Sequence, residues 1–501
     1  MRQTRHGPDR ARPLRFEALE SRALLATLPA GFTEAPIATN LSAATAMELA
    51  PGGDLWVLEQ GGLVKRFVAG STTADIVGNI STLGLNASGE RGLLGIAFDP
   101  AYATNKQVYL YYTATSPAIH NRVSRFTVND TEAADYFFAG ASQVPADAGS
   151  AGTPTQSIIV DLDALSGATN HNGGAIHFGP DEKLYVAVGD NANGSNAQTL
   201  TNRHGKMLRI NSDGTIPEDN PFFNTATGVN RAIWALGLRN PFTFAFQPGT
   251  GRMFINDVGQ NTWEEINDGA PGANYGWPGI EGPDGTPPNG PGTYQGPAYA
   301  YEHGGGTFEG FAITGGAFYN PLVPLFPVEF ANDYFFADFV NDWINVRDAA
   351  TGEVTRFASG ALGAVDLRVA PDGALIYLAR GTNQAMRVAF PTTFPWHNDE
   401  LREDVNDDGM ISVIDALLII NRLNSPDSNG PLPVPAGQIR PPPFVDVSPD
   451  NLITTLDAVL VINVLNSPGG NGEGEGMFAP DEAWTALVAD WLAAPFAKRS
   501  R

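Results

Sequence analysis

Phe178-Gly179-Pro180-Asp181-Glu182-Lys183-Leu184-Tyr185-Val186-Ala187 carries three signals in a short run. An apolar residue ends one strand, a Gly-Pro-Asp turn reverses the chain, and an aliphatic and aromatic run opens the next strand. The phrase returns as Ala50-Pro51-Gly52-Gly53-Asp54-Leu55-Trp56-Val57, as Phe246-Gln247-Pro248-Gly249-Thr250-Gly251-Arg252-Met253-Phe254-Ile255 and as Ala370-Pro371-Asp372-Gly373-Ala374-Leu375-Ile376-Tyr377-Leu378. A looser copy joins Phe98-Asp99-Pro100 to Val108-Tyr109-Leu110-Tyr111-Tyr112. Repeated hairpins at irregular spacing across residues 29–395 predict an all-β array of small sheets, a β-propeller. At about 60 residues per four-stranded blade with its loops, six blades are expected. A sandwich or barrel is the alternative, and the length counts against it. The Gly/Pro-rich insert 278–297 is expected to form loops on the face where a propeller keeps its binding residues.

Composition narrows the function. The chain has 501 residues, 56 Gly and 38 Pro, which favours tight turns over long helices. Acids outnumber bases 54 to 30, for a net charge of −24. A nucleic-acid partner is excluded on that balance, because phosphate binding needs clustered Lys and Arg. The charge suits a divalent-cation binder or an exported protein. Cysteine is absent, so no disulfide framework exists. No apolar run reaches the roughly 18–20 residues that span a bilayer.

Past residue 395 the pattern changes. Asp404-Val405-Asn406-Asp407-Asp408-Gly409-Met410-Ile411-Ser412-Val413-Ile414-Asp415 is a calcium-loop spacing. Asp404, Asn406, Asp408, Ser412 and Asp415 offer side-chain oxygens, Met410 a backbone carbonyl, and Gly409 the sharp turn. An apolar helix over 416–424 follows. The unit repeats at Asp446, with Ser448, Asp450, Leu452, Thr454 and Asp457 at the equivalent positions and a helix over 458–466. Two such loop-helix units resemble a type I dockerin, which implies a small α-helical domain over 396–467, two Ca²⁺ ions, and a cohesin-like or cell-surface partner. Residues 468–501 read as a flexible linker and a C-terminal helix with Trp484, Leu487, Val488, Trp491 and Leu492 on one side.

The N-terminus differs again. Arg2, Arg5, Arg10, Arg12 and Arg15 precede Phe16-Glu17-Ala18-Leu19-Glu20-Ser21-Arg22-Ala23-Leu24-Leu25-Ala26. Residues 1–28 resemble an export tag of planctomycete-type bacteria, which implies an extracellular, cell-surface or periplasmic protein. A short amphipathic helix or a disordered arm is the alternative.

The candidate chemistry lies in the propeller. Thr169-Asn170-His171-Asn172-Gly173-Gly174 places a lone imidazole in a loop that can approach a ligand closely. Imidazole is the natural general base near neutral pH. His177, on the next strand, is expected to be structural. Leu236-Gly237-Leu238-Arg239-Asn240-Pro241 brings a planar cation and an amide. No Gly-rich dinucleotide fingerprint is present.

These segments resemble the glucose/sorbosone dehydrogenase family, soluble propellers that oxidise aldoses with pyrroloquinoline quinone (PQQ) and Ca²⁺. So does Gly205-Lys206-Met207-Leu208-Arg209-Ile210, with Asp213-Gly214-Thr215-Ile216-Pro217-Glu218-Asp219-Asn220-Pro221-Phe222. The resemblance implies a sugar substrate oxidised at C1 to its lactone and an external electron acceptor. It makes His171 the base, and Arg239 and Asn240 the groups that bond the quinone. It puts Glu90 near the bound molecules. Gly259 and Gln260 lend backbone oxygens to the cofactor's Ca²⁺, while Glu265 and Tyr275 hold a second, structural Ca²⁺.

The family's cofactor-carboxylate anchors, one Lys and two Arg, are not matched: Asn341 stands at the Lys, and Gly363-Ala364-Val365-Asp366 lacks both Arg. Arg347 and Arg368, nearby in the chain, are candidate substitutes unless strand alternation turns them away. Two other functions stay open on this departure. One is a non-catalytic binding propeller that has lost PQQ, like that of hedgehog-interacting proteins. The other is a hydrolytic propeller such as a lactonase, with acidic Ca²⁺ ligands in its tunnel.

Overall fold

The computed structural model describes residues 25–132, 135–138, 155–390, 396–398, 401–425, 432, 442–449 and 452–466. The export-tag reading therefore falls almost wholly outside the described residues, as does the C-terminal helix. Ala26 and Thr27 are described, and they belong to the propeller. The Ala26 amide donates to Glu34 Oε2 at 2.7 Å, and Thr27 exchanges backbone hydrogen bonds with Ser359. The propeller contacts thus begin before residue 29, inside the segment assigned to the tag.

Each copy of the hairpin phrase becomes the turn between the first two strands of a sheet. The second strands Leu55–Glu59, Leu184–Val188, Met253–Asp257 and Leu375–Ala379 are buried along their whole length. That is why they read as unbroken apolar runs rather than alternating ones. Tyr334–Asp338 plays the same part, but the turn before it lacks the Pro-Gly signature.

The strands form antiparallel sheets met one after another along the chain. The first contains Ala44–Leu49, Leu55–Glu59, Leu63–Phe67 and Ala74–Asn79. The second runs from Leu93–Phe98 to Gln156–Ala164, with Asp135–Phe138 added on the long strand His120–Glu132. The third begins at Ile176–Phe178 and extends through Leu184–Val188, Lys206–Ile210 and Ile233–Leu236 to two short parallel strands, Ala273–Asn274 and Thr293–Tyr294. The fourth starts at Pro241–Phe246 and ends at Tyr299–Glu302; the fifth starts at Ile313–Phe318 and ends at Val354–Ser359. The last holds Ala364–Val369, Leu375–Ala379 and Gln384–Ala389, and the N-terminal strand Thr33–Ala38 completes it by pairing antiparallel with Gln384–Ala389. A separate two-stranded ribbon, Ile280–Glu281 with Asp284–Gly285, lies within the insert 278–297. The sheets are therefore not copies of one four-stranded unit.

Every large core bridges two successive sheets. Trp56 and Leu58 meet Ile96 and Tyr112 between the first pair. Phe335 and Ile344 meet Leu367 and Tyr377 between the fifth and last sheets, and Ile376 and Leu378 meet Met47 and Val57 where the last returns to the first. Fully burying one such side chain stabilises the fold by about 1.5–3 kcal/mol, so sheet order and closure are held by apolar contacts.

At the centre, neighbouring sheets pool their charges. Arg368 Nη1 donates to Asp366 Oδ1 at 2.6 Å, and its Nε lies 3.3 Å from Glu48 Oε2. His177 Nδ1 is 3.5 Å from the same Glu48 oxygen. Burial alone would raise the Glu48 carboxyl, but the charge of Arg368 and the bond to His177 outweigh it and bring the group to about 2. A depressed carboxyl contributes stability above its unfolded value and loses it as pH falls toward the folded one. Glu48→Gln should thus cost about 3 kcal/mol at pH 7 and progressively less below pH 4.5. Urea unfolding of both proteins at pH 7 and pH 3 checks this; an equal deficit at the two pH values would contradict it.

The smaller C-terminal unit has the predicted elements. Helices Val413–Leu423 and Thr455–Leu465 pack on each other around Val405, Ile411, Ile419, Val447 and Val461. Each is opened by a capping box, Ser412 with Asp415 and Thr454 with Asp457.

Candidate active site

His171 sits at φ 56, a left-handed conformation that costs a non-glycine residue energy and often marks a functional position. Its amide donates to Glu90 Oε2 at 2.8 Å, and the neighbouring Asn172 carbonyl accepts from Tyr111 Oη at 2.9 Å. Gly189 lies beneath it; a Cβ there would collide with the His171 carbonyl oxygen, so only glycine permits this approach. The imidazole Nδ1 lies 2.8 Å from Asp190 Oδ1, and Trp277 Nε1 donates to Asp190 Oδ2 at 2.8 Å. Asp190 is 1% exposed. A buried carboxylate on Nδ1 fixes the ring's orientation and directs Nε2 to outside chemistry, the His–Asp arrangement of a general base. Among the described residues no hydrogen bond engages Nε2.

Asp257 holds the second group. Its carboxylate accepts the Arg239 amide at 2.9 Å and the Asn240 amide at 2.6 Å. Asn240 Oδ1 in turn accepts from the Gly173 amide at 3.1 Å, which joins the two loops. Arg239 donates through Nη1 to the Val258 carbonyl at 2.9 Å, lies over the Trp277 ring, and leaves its buried Nε without a partner. Burial raises the Asp257 carboxyl well above the usual range, and the nearby Glu265 charge adds to it.

A cavity of about 230 Å³ runs along the axis. Glu90, Gly173, Asn240, Phe339, Arg368 and Arg380 are among its lining residues. His171 is not itself part of the lining, but it neighbours Gly173 and is bonded to Glu90. Glu90 makes no ion pair with Arg91, whose Nη2 instead donates to the carbonyls of Ser166 and Ala168.

The loop after Asp257 is tied by a residue that sequence reasoning left without a role. Glu281 Oε1 accepts amides from Gln260, Asn261, Thr262 and Trp263, at 2.7–3.3 Å. Burial would raise this carboxyl, but the amides outweigh it and lower it. No hydrogen bond reaches the carbonyl oxygens of Gly259 and Gln260 among the described residues. Glu265 Oε1 accepts from the Gly282 amide at 2.6 Å and Oε2 from Asn267. Burial raises its carboxyl. The Tyr275 hydroxyl donates to the Asp268 carbonyl at 2.9 Å and accepts from the Ala270 amide. It is thus committed to the backbone, and no hydrogen bond joins it to Glu265.

The expected substitutes for the missing anchors do not behave as free cations. Arg368 lines the cavity, but it is paired with Asp366 and Glu48 and donates to the Leu367 carbonyl. Arg347 is outside the lining, beside the Phe254 ring. Asn341 spends its amide on the carbonyls of Gly304 and Glu309, at 2.7 and 3.0 Å.

In the first C-terminal loop, Asp404 accepts from the amides of Asp408 and Gly409. Asn406 Oδ1 also accepts from Asp408, and Asp408 Oδ1 from Met410. Gly409 has φ 83, the turn expected of it. Asp415 accepts from the amides of Val405, Asn406 and Ser412. In the second loop Asp457 accepts from the amides of Ser448 and Thr454, and Ser448 Oγ is buried with no partner among the described residues. Asp450 lies outside the described residues. Among the described residues no group of three or more His, Cys, Asp or Glu side chains gathers around one point, so a Ca²⁺ here would rely on Asn, Ser and backbone oxygens as well. No helix of the described residues is long and apolar enough to cross a membrane.

The glucose/sorbosone dehydrogenase family model matches residues 41–387, and the chain belongs to that family. Residues 402–466 match the dockerin type I domain. The chain is 30% identical over 279 residues to quinoprotein glucose dehydrogenase B of Acinetobacter calcoaceticus, covering 50% of this chain and 53% of that protein. It is 30% identical over 192 residues to the aldose sugar dehydrogenase YliI of Escherichia coli, covering 38% of this chain and 47% of that protein. The matches thus span about half the length of these relatives. Hedgehog-interacting protein of Mus musculus is 29% identical over 209 residues, 37% of this chain and 27% of that protein. The PQQ-bound aldose sugar dehydrogenase of Streptomyces coelicolor superposes with a TM-score of 0.57 at 25% identity, over 72% of this chain and 99% of that one.

Proposed function

We propose that this protein oxidises an aldose at C1 to its lactone, using PQQ and Ca²⁺. The observation that carries the reading is the buried chain Trp277–Asp190–His171 beside Asn240 and the axial cavity. His171 takes the C1 hydroxyl proton at Nε2, and Asp190 holds the ring and offsets the charge it gains. Bound PQQ supplies the two-electron acceptor that side chains lack. Arg239, a planar cation, and the amide of Asn240 would hold it. Glu90 sets the His171 loop, and the carbonyls of Gly259 and Gln260 are available to a hard cation. The reaction would also require an external electron acceptor. The test is aldose-dependent dye reduction after reconstitution with PQQ and Ca²⁺; absence of turnover across an aldose panel overturns the reading.

A binding propeller without cofactor is the second reading. It is favoured by Asn341, whose amide is consumed by the 304–309 loop, and by Gly363 and Val365, which carry no charge. Saturable PQQ binding would exclude it.

The dockerin unit is proposed to bind Ca²⁺ through Asp404, Asn406, Asp408, the Met410 carbonyl, Ser412 and Asp415, with a weaker second loop, and to take a cohesin-like or cell-surface partner after export. Calorimetric titration of the full chain should show Ca²⁺ binding that Asp404→Ala reduces by one site. At about 100 times the dissociation constant, Ca²⁺ should stabilise the unit by about 2.7 kcal/mol. An unchanged count in the variant would contradict the assignment.

A further inference from the structure

The cavity has two arginines, and only one is neutralised. Arg368 is paired with Asp366 and Glu48. Arg380 has no carboxylate within ion-pair distance among the described residues. Its Nη1 donates to the carbonyls of Ala43 and Ala44, at 2.7 and 2.9 Å, and its Nη2 to Gln60 Oε1 at 2.6 Å. A guanidinium has five N–H donors, so Nε–H and one Nη2–H remain. Burial lowers the Arg380 pKa.

Its position is telling. The Arg380 amide donates to the Gly363 carbonyl at 3.0 Å. Gly363 is one of the two positions where the family resemblance expects an arginine. The cation has therefore moved one strand along, from the start of Ala364–Val369 to the end of Leu375–Ala379. Gln60 braces it, since its own Nε2 donates to the carbonyls of Gly89 and Arg91, both at 2.7 Å. That loop carries Glu90, so the guanidinium is tied to the segment that sets His171.

We infer that Arg380, steadied by Gln60, is the carboxylate anchor of the cavity and replaces the missing Lys and Arg toward the quinone cofactor. The inference rests on the PQQ reading. A single guanidinium fork in a partly buried site recognises a carboxylate as a planar, charge-assisted pair. It also accounts for the survival of a lone cation where Asn341, Gly363 and Val365 supply none.

The experiment is titration of PQQ into the full chain with Ca²⁺, followed by absorbance and calorimetry. Arg380→Gln should weaken binding by about 10- to 100-fold, Arg380→Lys by less, and Gln60→Leu by an intermediate factor. The trimethyl ester of PQQ, which has no carboxylates, should bind wild type and Arg380→Gln alike. Circular dichroism and the thermal midpoint verify that each variant is folded. Equal PQQ affinity in wild type and Arg380→Gln overturns the inference and leaves the PQQ reading standing. If wild type binds no PQQ, that reading fails, and benzene-1,2,4-tricarboxylate becomes the probe. A thermal shift seen in wild type and lost in Arg380→Gln keeps the anion site; no shift in wild type sinks it.

Discussion

Replacing His171 by asparagine should lower kcat/KM for aldose oxidation by about 100- to 10,000-fold, the range of a lost general base. Asparagine is the informative choice because it tolerates the left-handed backbone found at φ 56. The loop that carries Gly173 and its bond to Asn240 should persist, so PQQ affinity should stay close to wild type. Steady-state kinetics and a PQQ titration on the same preparation check both parts. Retention of turnover within a few-fold of wild type would remove His171 from the chemistry.

The second large effect is expected at Asp190. Its carboxylate is 1% exposed and meets His171 on one oxygen and the Trp277 indole on the other. Asp190→Asn keeps the shape but replaces an anion with a neutral amide whose N–H₂ opposes one of those donors. The ring then loses its fixed orientation and the charge that stabilises its protonated form. We expect kcat to fall by about 100-fold or more, with KM and PQQ affinity little changed. Asp190 is a positioning residue in this account. If it were merely structural, all three quantities would worsen together with the thermal midpoint.

The same residues show what was legible in the sequence. The turns were, because Pro180-Asp181 or Pro371-Asp372-Gly373 dictate backbone geometry locally. The hairpins they open are therefore legible from local chemistry alone. His171, Arg239 and Asn240 stood out because they are polar side chains in a loop rich in Asn and Gly, or ending in Pro, although the fold then buries His171 and Asn240. Asp190 did not stand out. Its partner is 19 residues back and its other donor, Trp277, 87 residues on, and nothing in Val188-Gly189-Asp190-Asn191 signals either. Asp257 did not stand out either, because its grip on the Arg239 and Asn240 amides spans two strands and exists only in the folded sheet.

Arg380 was hidden for a related reason. Near the unmatched positions Gly363 and Val365 the chain offers Arg347 and Arg368. Strand pairing instead brought in a residue from beyond the next hairpin. Arg368 looked suitable by sequence distance, yet the inner strands place Glu48 and His177 against it. Tyr334–Asp338 was missed as a hairpin copy because Ala331-Asn332-Asp333 turns the chain with Asn332 at φ 73, without the Pro-Gly phrase. Tyr275 was expected at a calcium site, and its hydroxyl is bound to the backbone of Asp268 and Ala270, a few residues before it in the chain.

The most direct test of the central claim is an anaerobic single-turnover experiment. The full chain is loaded with one equivalent of PQQ and excess Ca²⁺, aldose is added, and the quinone absorbance is followed. The account predicts saturable loading and reduction of bound quinone on addition of sugar, with reduction lost and loading kept in His171→Asn. Failure to load, or equal reduction in wild type and variant, would contradict it.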